Sequence, residues 1–166
     1  ALSVKFRAPP LTHPTLAATL PPDPLALEVR NNQGSPRTRN AAPDLTLIVF
    51  ADYRCPACRA AQQAMMRAVA NDGKVRIVYK DWPIFGAASE RAAEIAIASD
   101  FQHIYPLVHD RLMTGSTDND VDLKAAVELS GGDWGKLQSA LERDKTVIPA
   151  QLVWTKLQAS HPALVG

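Results

Sequence analysis

Cys55 and Cys58 are the only cysteines in a chain of 166 residues, and they stand three positions apart in the order Cys55-Pro56-Ala57-Cys58. A bridge between them would close a minimal loop and remove little entropy from the unfolded chain, so the pair is no structural staple. A lone Cys-x-x-Cys is either a redox centre or half of a metal site. A zinc site needs two more ligands at suitable spacing, yet His13, His103, His109 and His161 show no His-x₃₋₅-His arrangement and no second cysteine pair exists. Redox chemistry is therefore the first reading. Copper(I) or zinc held by the dithiol of a non-enzymatic protein stands as the alternative.

The elements around the pair would make the sulfurs reactive. Leu45 to Ala51 is β-branched, aromatic and almost wholly apolar, the pattern of a strand buried on both faces of a central sheet. A helical pattern follows, with Ala60, Ala61, Ala64, Met65, Ala68 and Val69 on one face up to a stop at Asn71-Asp72-Gly73. Val75 to Tyr79 alternates and reads as a second strand, parallel to the first through a right-handed crossover. Cys55 thus falls at the start of the helix, where free N–H groups and the positive end of the dipole favour a thiolate, and Pro56 suits the first helical position. Arg54 and Arg59 flank the pair; they either add favourable charge or are solvated surface. Cys58 lies one turn on, within the roughly 4.4–6.8 Å between Cα atoms that a disulfide accepts. Cys55 is then the attacking thiol and Cys58 the resolving one.

The rest of the chain bounds the partners. Formal charge is +1, with 18 basic and 17 acidic residues intermixed, so no basic stripe points to nucleic acid. The longest apolar run is far below the roughly 18 residues a membrane span requires, and no membrane insertion is expected. The start lacks an initiator Met and a signal-peptide pattern and reads as a processed or trimmed form. Residues 1–43 hold eight of the thirteen prolines and read as an extended arm, a wrapped linker or an oligomerisation element, with one short edge strand at Leu25 to Val29 and turn chemistry from Asn31 to Pro36. From about residue 89 to 160 the pattern is helical. Ser89, Asp120, Asp133 and Thr146 are the expected N-caps, and Pro106 belongs in a first turn. Trp82, Trp134, Trp154, Met65, Met66 and Met113 read as packing residues, His103 and His109 as helix surface, and Asp118-Asn119-Asp120 as a capped turn. Residues 162–166 read as a third strand cut off as it starts.

Asp44 to Arg59, then Lys80-Asp81-Trp82-Pro83-Ile84-Phe85-Gly86 and Ser89 to Ala93, resemble the DsbA-like thioredoxin-fold proteins of the bacterial cell envelope. The resemblance implies an α/β thioredoxin-like fold over residues 44–166 with a helical insertion at about 89–160, the C-terminal strand and helix being missing. It implies a periplasmic or other extracytoplasmic setting and disulfide exchange with protein thiols and a redox partner protein, without a cofactor. It also implies a cis-proline facing the cysteines, matched by Pro162. His161 stands where the family carries Thr or Val, and Val49 where it often carries a buried acid whose usual partner is Lys80; that lysine would then pair elsewhere, with Asp52 or Asp81. The activity expected is that of a protein disulfide oxidoreductase, leaning to an oxidant because Pro56-Ala57 differs from the Gly-Pro of reductants. A reductase or isomerase that dimerises through the arm is the alternative within the enzyme class.

Overall fold

A computed structural model describes residues 34–160 apart from Arg39 and Ala41, together with Pro24 and Val29. Two strands, β1 (Leu45–Ala51) and β2 (Val75–Asp81), flank helix α1 (Pro56–Asp72). They pair in parallel, in register from Leu45 opposite Val75 to Ala51 opposite Asp81. A β-α-β unit follows from the sequence: seven residues of strand chemistry, Pro at the first helical turn, and Gly73 in the left-handed conformation closing α1 with its N–H on Val69 O. Along the other edge of β2 run residues 36–38, antiparallel, with Thr38 N donating to Ile77 O and Tyr79 N to Pro36 O.

Five helices follow: α2 (Ala87–Ser99), α3 (Tyr105–Thr114) after a 3₁₀ turn at Asp100–Gln102, α4 (Asp120–Leu129), α5 (Trp134–Arg143) and α6 (Val147–Ala159). Helix α2 is their hub and packs on α3, α4, α5 and α6. Its alanines 92, 93, 96 and 98 are buried with Ile95, and such small side chains let neighbouring helices approach closely. Tyr105, Val108 and Leu112 of α3, Val127 of α4, Leu137 of α5 and Ile148 of α6 complete the core. Among the described residues no helix is long and apolar enough to cross a membrane.

Several expectations are corrected. Strand β1 is half-buried over most of its length and Leu45 is exposed, because among the described residues β1 has one neighbour, β2, and nothing covers its other edge. In α1 the core-facing stripe is Cys58, Gln62, Met65, Met66 and Val69, whereas Ala60, Ala61, Ala64 and Ala68 are exposed; alanine favours helix on either face, so its spacing does not report which face is buried. Val29 is helical and fully buried rather than part of an edge strand, and Leu25–Glu28 lie outside the described residues. His109 is buried, and Trp154 is 40% exposed at the surface rather than in the core.

The caps also shift. Helix α2 starts after Gly86 without a side-chain cap, and the Ser89 hydroxyl goes elsewhere. Asn119, not Asp120, caps α4, accepting from Val121 N and Asp122 N, while Asp133 caps α5 as expected and Thr146 occupies its place without a side-chain bond. Asn119→Ala is therefore expected to lower the unfolding free energy by about 1 kcal/mol in urea titration. Asp120→Ala should cost about half of that or less, since its carboxylate makes only an exposed pair with Arg91.

Candidate active site

The turn between β1 and α1 carries both cysteines. Cys55 is the N-cap of α1, with extended backbone angles, and its sulfur accepts the N–H of Cys58 at 3.3 Å. Its own N–H donates to Asp52 O at 3.1 Å and its carbonyl accepts from Arg59 N at 3.0 Å. Both cysteines are free thiols and half-buried. Pro56 and Ala57 between them are exposed. A helix start leaves N–H groups without intrahelical partners, and here one of them points at the Cys55 sulfur. Burial pushes the Cys58 thiol up; the backbone amide of Asp52 opposes this in part, while the Cys55 sulfur and the Asp52 charge reinforce it. The two sulfurs thus sit in unlike surroundings although one helical turn separates them.

The flanking arginines are bound rather than solvated. Arg59 donates to three carbonyls, Tyr53 O at 2.9 Å, Leu112 O at 3.1 Å and Gly115 O, so that α1 is clasped to the end of α3. Arg54 pairs with Asp118, whose carboxyl is held below its usual range first by that hydrogen bond. Together with Pro56, Ser116 and Thr117 these residues line a groove of about 440 Å³ beside Cys55.

Asp52 is the residue that sequence reasoning underrated. It is buried, and its Oδ1 accepts from Arg54 N at 2.7 Å and Ser89 Oγ at 2.8 Å, while Oδ2 accepts from Ile84 N at 2.6 Å and Phe85 N at 3.1 Å. Ser89 thus serves this carboxylate instead of capping α2. The held loop ends at Gly86, whose positive φ of 83° admits the turn into α2. Ile84 and Phe85 leave it with their side chains half exposed.

A second buried group lies between β2 and α3. Asp81 accepts from Tyr53 Oη at 2.7 Å and from Tyr105 Oη at 2.8 Å, and Tyr53 Oη lies 2.9 Å from His109 Nδ1. The imidazole packs on the Tyr53, Tyr79 and Tyr105 rings, and its Nε2 has no hydrogen-bond partner among the described residues. Burial raises Asp81 to about 7 and lowers His109 to about 3. With Asp81 ionised, Tyr53 donates to it and Nδ1–H donates to Tyr53; with Asp81 protonated the direction reverses and Nδ1 accepts. Either way the imidazole is neutral. Tyr53, Tyr79 and Tyr105 are themselves raised by burial, so they stay hydroxyl donors. The register sets Val49 opposite Tyr79, so Val49 and Lys80 belong to opposite faces of the sheet. Lys80 is itself buried. His161 and Pro162 lie outside the described residues. Among those residues, no group of three or more His, Cys, Asp and Glu could hold a metal ion.

The Asp81 and His109 shifts have opposite effects on stability. Asp81, raised from 3.8 to about 7, contributes stability below pH 4 that is lost as pH rises toward 7; His109, lowered from 6.5 to about 3, contributes stability above pH 6.5 that is lost as pH falls toward 3. Between about pH 4 and 6.5 the slopes cancel, since the unfolded chain holds the proton on His109 and the folded chain holds it on Asp81. Asp81→Asn should therefore expose a fall in stability as pH drops from 6.5 to 4, and His109→Gln a fall as pH rises from 4 to 7. Each slope should approach about 1.4 kcal/mol per pH unit in denaturant titrations, and two flat profiles would contradict the burial of this pair as neutral groups.

Comparison with known proteins agrees with this geometry. A family model described as thioredoxin matches residues 33–160. Among solved structures, a thioredoxin-like oxidoreductase from Silicibacter pomeroyi is 31% identical over 80% of this chain and 76% of its own, with a TM-score of 0.72. The thiol-disulfide exchange protein alpha-DsbA2 from Wolbachia pipientis is 23% identical over 79% of this chain and 72% of its own, with a TM-score of 0.73. A periplasmic thioredoxin-like protein from Salmonella enterica serovar Typhimurium is 25% identical over 74% of this chain and 77% of its own, with a TM-score of 0.59. No curated protein sequence matches the chain. A helix-rich α/β fold, a Cys-x-x-Cys at the start of the helix that joins its two parallel strands and a family match over most of the length have one reading: the chain belongs to the thioredoxin family and has the DsbA-like form of its fold.

Proposed function

We propose that this chain exchanges disulfides with proteins outside the cytoplasm, acting as an oxidant through a mixed disulfide at Cys55, with Cys58 as the leaving thiol in the oxidising direction and the resolving thiol in the reverse one. The observation that carries the reading is the Cys58 N–H placed on the Cys55 sulfur at the helix start. In the oxidising direction a substrate thiolate attacks the Cys55 sulfur of the Cys55–Cys58 disulfide. That S–S bond breaks, a substrate–Cys55 bond forms, and Cys58 leaves as a thiolate and takes up a proton. A second substrate thiolate then attacks the substrate sulfur of the mixed disulfide and releases Cys55 as a thiolate. The substrate has lost two electrons and two thiol protons, and the enzyme has gained the two electrons and now holds reduced cysteines.

Two features favour this direction. The donor on Cys55 stabilises the released thiolate, and stabilising the reduced form makes a stronger oxidant. The raised Cys58 thiol supplies little thiolate to attack the mixed disulfide from within, which leaves time for the second substrate thiol. Ile84 and Phe85 present exposed apolar side chains on the loop tied to the redox turn, a surface suited to unfolded polypeptide. An extracytoplasmic setting suits a protein disulfide catalyst, since glutathione keeps cytosolic thiols reduced.

Cys58→Ser should trap mixed disulfides at Cys55 when the reduced variant is incubated with a disulfide-bonded protein, visible as an adduct on non-reducing gels. Cys55→Ser should trap little under the same conditions. Equal trapping by both variants, or none by either with substrate in excess, overturns the proposal. Equilibration with glutathione buffers assigns direction: an oxidant gives a reduction potential well above the roughly −270 mV of thioredoxin.

A further inference from the structure

The groove of about 440 Å³ beside Cys55 lies between the cysteine-bearing turn and the segment that leaves α3. Arg54 and Pro56, the two chain neighbours of Cys55, line it together with Arg59 and residues 115–118. Its frame is fixed through backbone atoms. Arg54 N donates to the buried Asp52 carboxylate at 2.7 Å, and the Arg59 guanidinium joins Tyr53 O to Gly115 O.

The two arginines of the groove are used differently. Arg59 spends its guanidinium on three carbonyls. Arg54 engages Nη1 alone, on one oxygen of Asp118, and its Nε and Nη2 have no partner among the described residues. A guanidinium is a planar fork of five N–H donors that matches both oxygens of a carboxylate, so a single-point pair leaves most of that capacity unspent. The pair is also weakly held, since the side chains are 35% and 69% exposed. With Asp118 kept ionised by Arg54, the groove is lined by two cations and one anion, a net positive charge.

We propose that this groove is a subsite for a carboxylate carried next to the reacting sulfur of the substrate, with Arg54 as the residue that selects it. This rests on the reading of Cys55 as the sulfur that forms the mixed disulfide, and it names the substrate class for that sulfur. The mixed disulfide is common to both directions of exchange, so the subsite acts in either. Its bonds balance as before: the Cys55 thiolate attacks one sulfur of a substrate disulfide, the Cys55–substrate bond forms as that S–S bond breaks, and the other sulfur leaves as a thiolate. Arg54 takes no proton or electron. The carboxylate can belong to a small thiol or to an acidic side chain flanking a cysteine in a protein.

The test uses the reduced full chain with Cys58→Ser, in which the adduct at Cys55 persists, and follows adduct formation by mass spectrometry. Two probe pairs differ chiefly in charge: 3,3′-dithiodipropionate against bis(2-hydroxyethyl) disulfide, and the disulfide of a blocked peptide with glutamate after its cysteine against its glutamine counterpart. Within each pair, the ratio of acidic to neutral rates cancels any change in the Cys55 thiolate itself. Arg54→Gln should lower that ratio about two- to fivefold, and Asp118→Asn, which frees Nη1 and removes the competing carboxylate, should raise it by a similar factor. A pair with a purely structural role would shift the ratio the same way in both variants. That result, or a ratio unchanged by Arg54→Gln in both probe pairs, overturns the subsite. Arg54 dependence in the first pair alone assigns it to small thiols, and dependence in the peptide pair assigns it to protein substrates. No adduct with either neutral probe would remove the functional reading instead, whereas adducts at a charge-independent ratio would remove the subsite alone.

Discussion

A buried carboxylate that accepts four hydrogen bonds is the constraint around which this site is arranged. Asp52 draws Arg54 N, Ser89 Oγ, Ile84 N and Phe85 N onto one group, and these four donors belong to three segments with different fates. The cysteine-bearing turn, the exposed Ile84-Phe85 loop and the first turn of α2 therefore share one anchor. None of the three could move far without leaving the buried carboxylate short of a donor, a larger penalty than the loss of one exposed hydrogen bond. Arg59 repeats the device with the opposite sign, a cation whose donors are spread over three backbone carbonyls.

The two cysteines illustrate how one helical turn can divide chemistry between like side chains. Cys55 caps the helix and receives an N–H on its sulfur, while Cys58 is inside the helix and packs against the core, where burial raises its thiol. The asymmetry comes from backbone geometry and burial rather than from the residues between the cysteines, because Pro56 and Ala57 point outward. Beneath it, the Tyr53, Asp81, Tyr105 and His109 cluster binds the cysteine-bearing turn to β2 and α3 through hydroxyls whose protons can point either way. It satisfies an acid and an imidazole in the core without charging the imidazole.

Some of the fold is legible in residue types alone. The β1-α1-β2 unit follows from a run of β-branched residues, a proline at a helix start and a glycine at its end, all local effects. The Asp133 cap and the position of Pro106 follow in the same way. The expectations that fail depend on what lies across space. Ser89 has the chemistry of a cap, yet Asp52 competes for its hydroxyl. The alanines of α1 have the spacing of a buried stripe, yet the stripe that faces the core runs through Cys58, Gln62, Met65 and Val69. His109 resembles any helix histidine until three tyrosine rings enclose it.

The sequence by itself determined the Cys55–Cys58 pair and its place at a strand-to-helix junction, because covalent spacing and helix-start preferences act within a few residues. The tertiary structure alone decided what surrounds those sulfurs: that Asp52, three residues before Cys55, is saturated by donors from up to 37 positions away, that Arg59 is a clasp, and that Asp81 and His109 are buried together. Burial, the pKa of a buried acid and the direction of a hydrogen bond all depend on which distant atoms arrive. No local pattern in the chain specifies them.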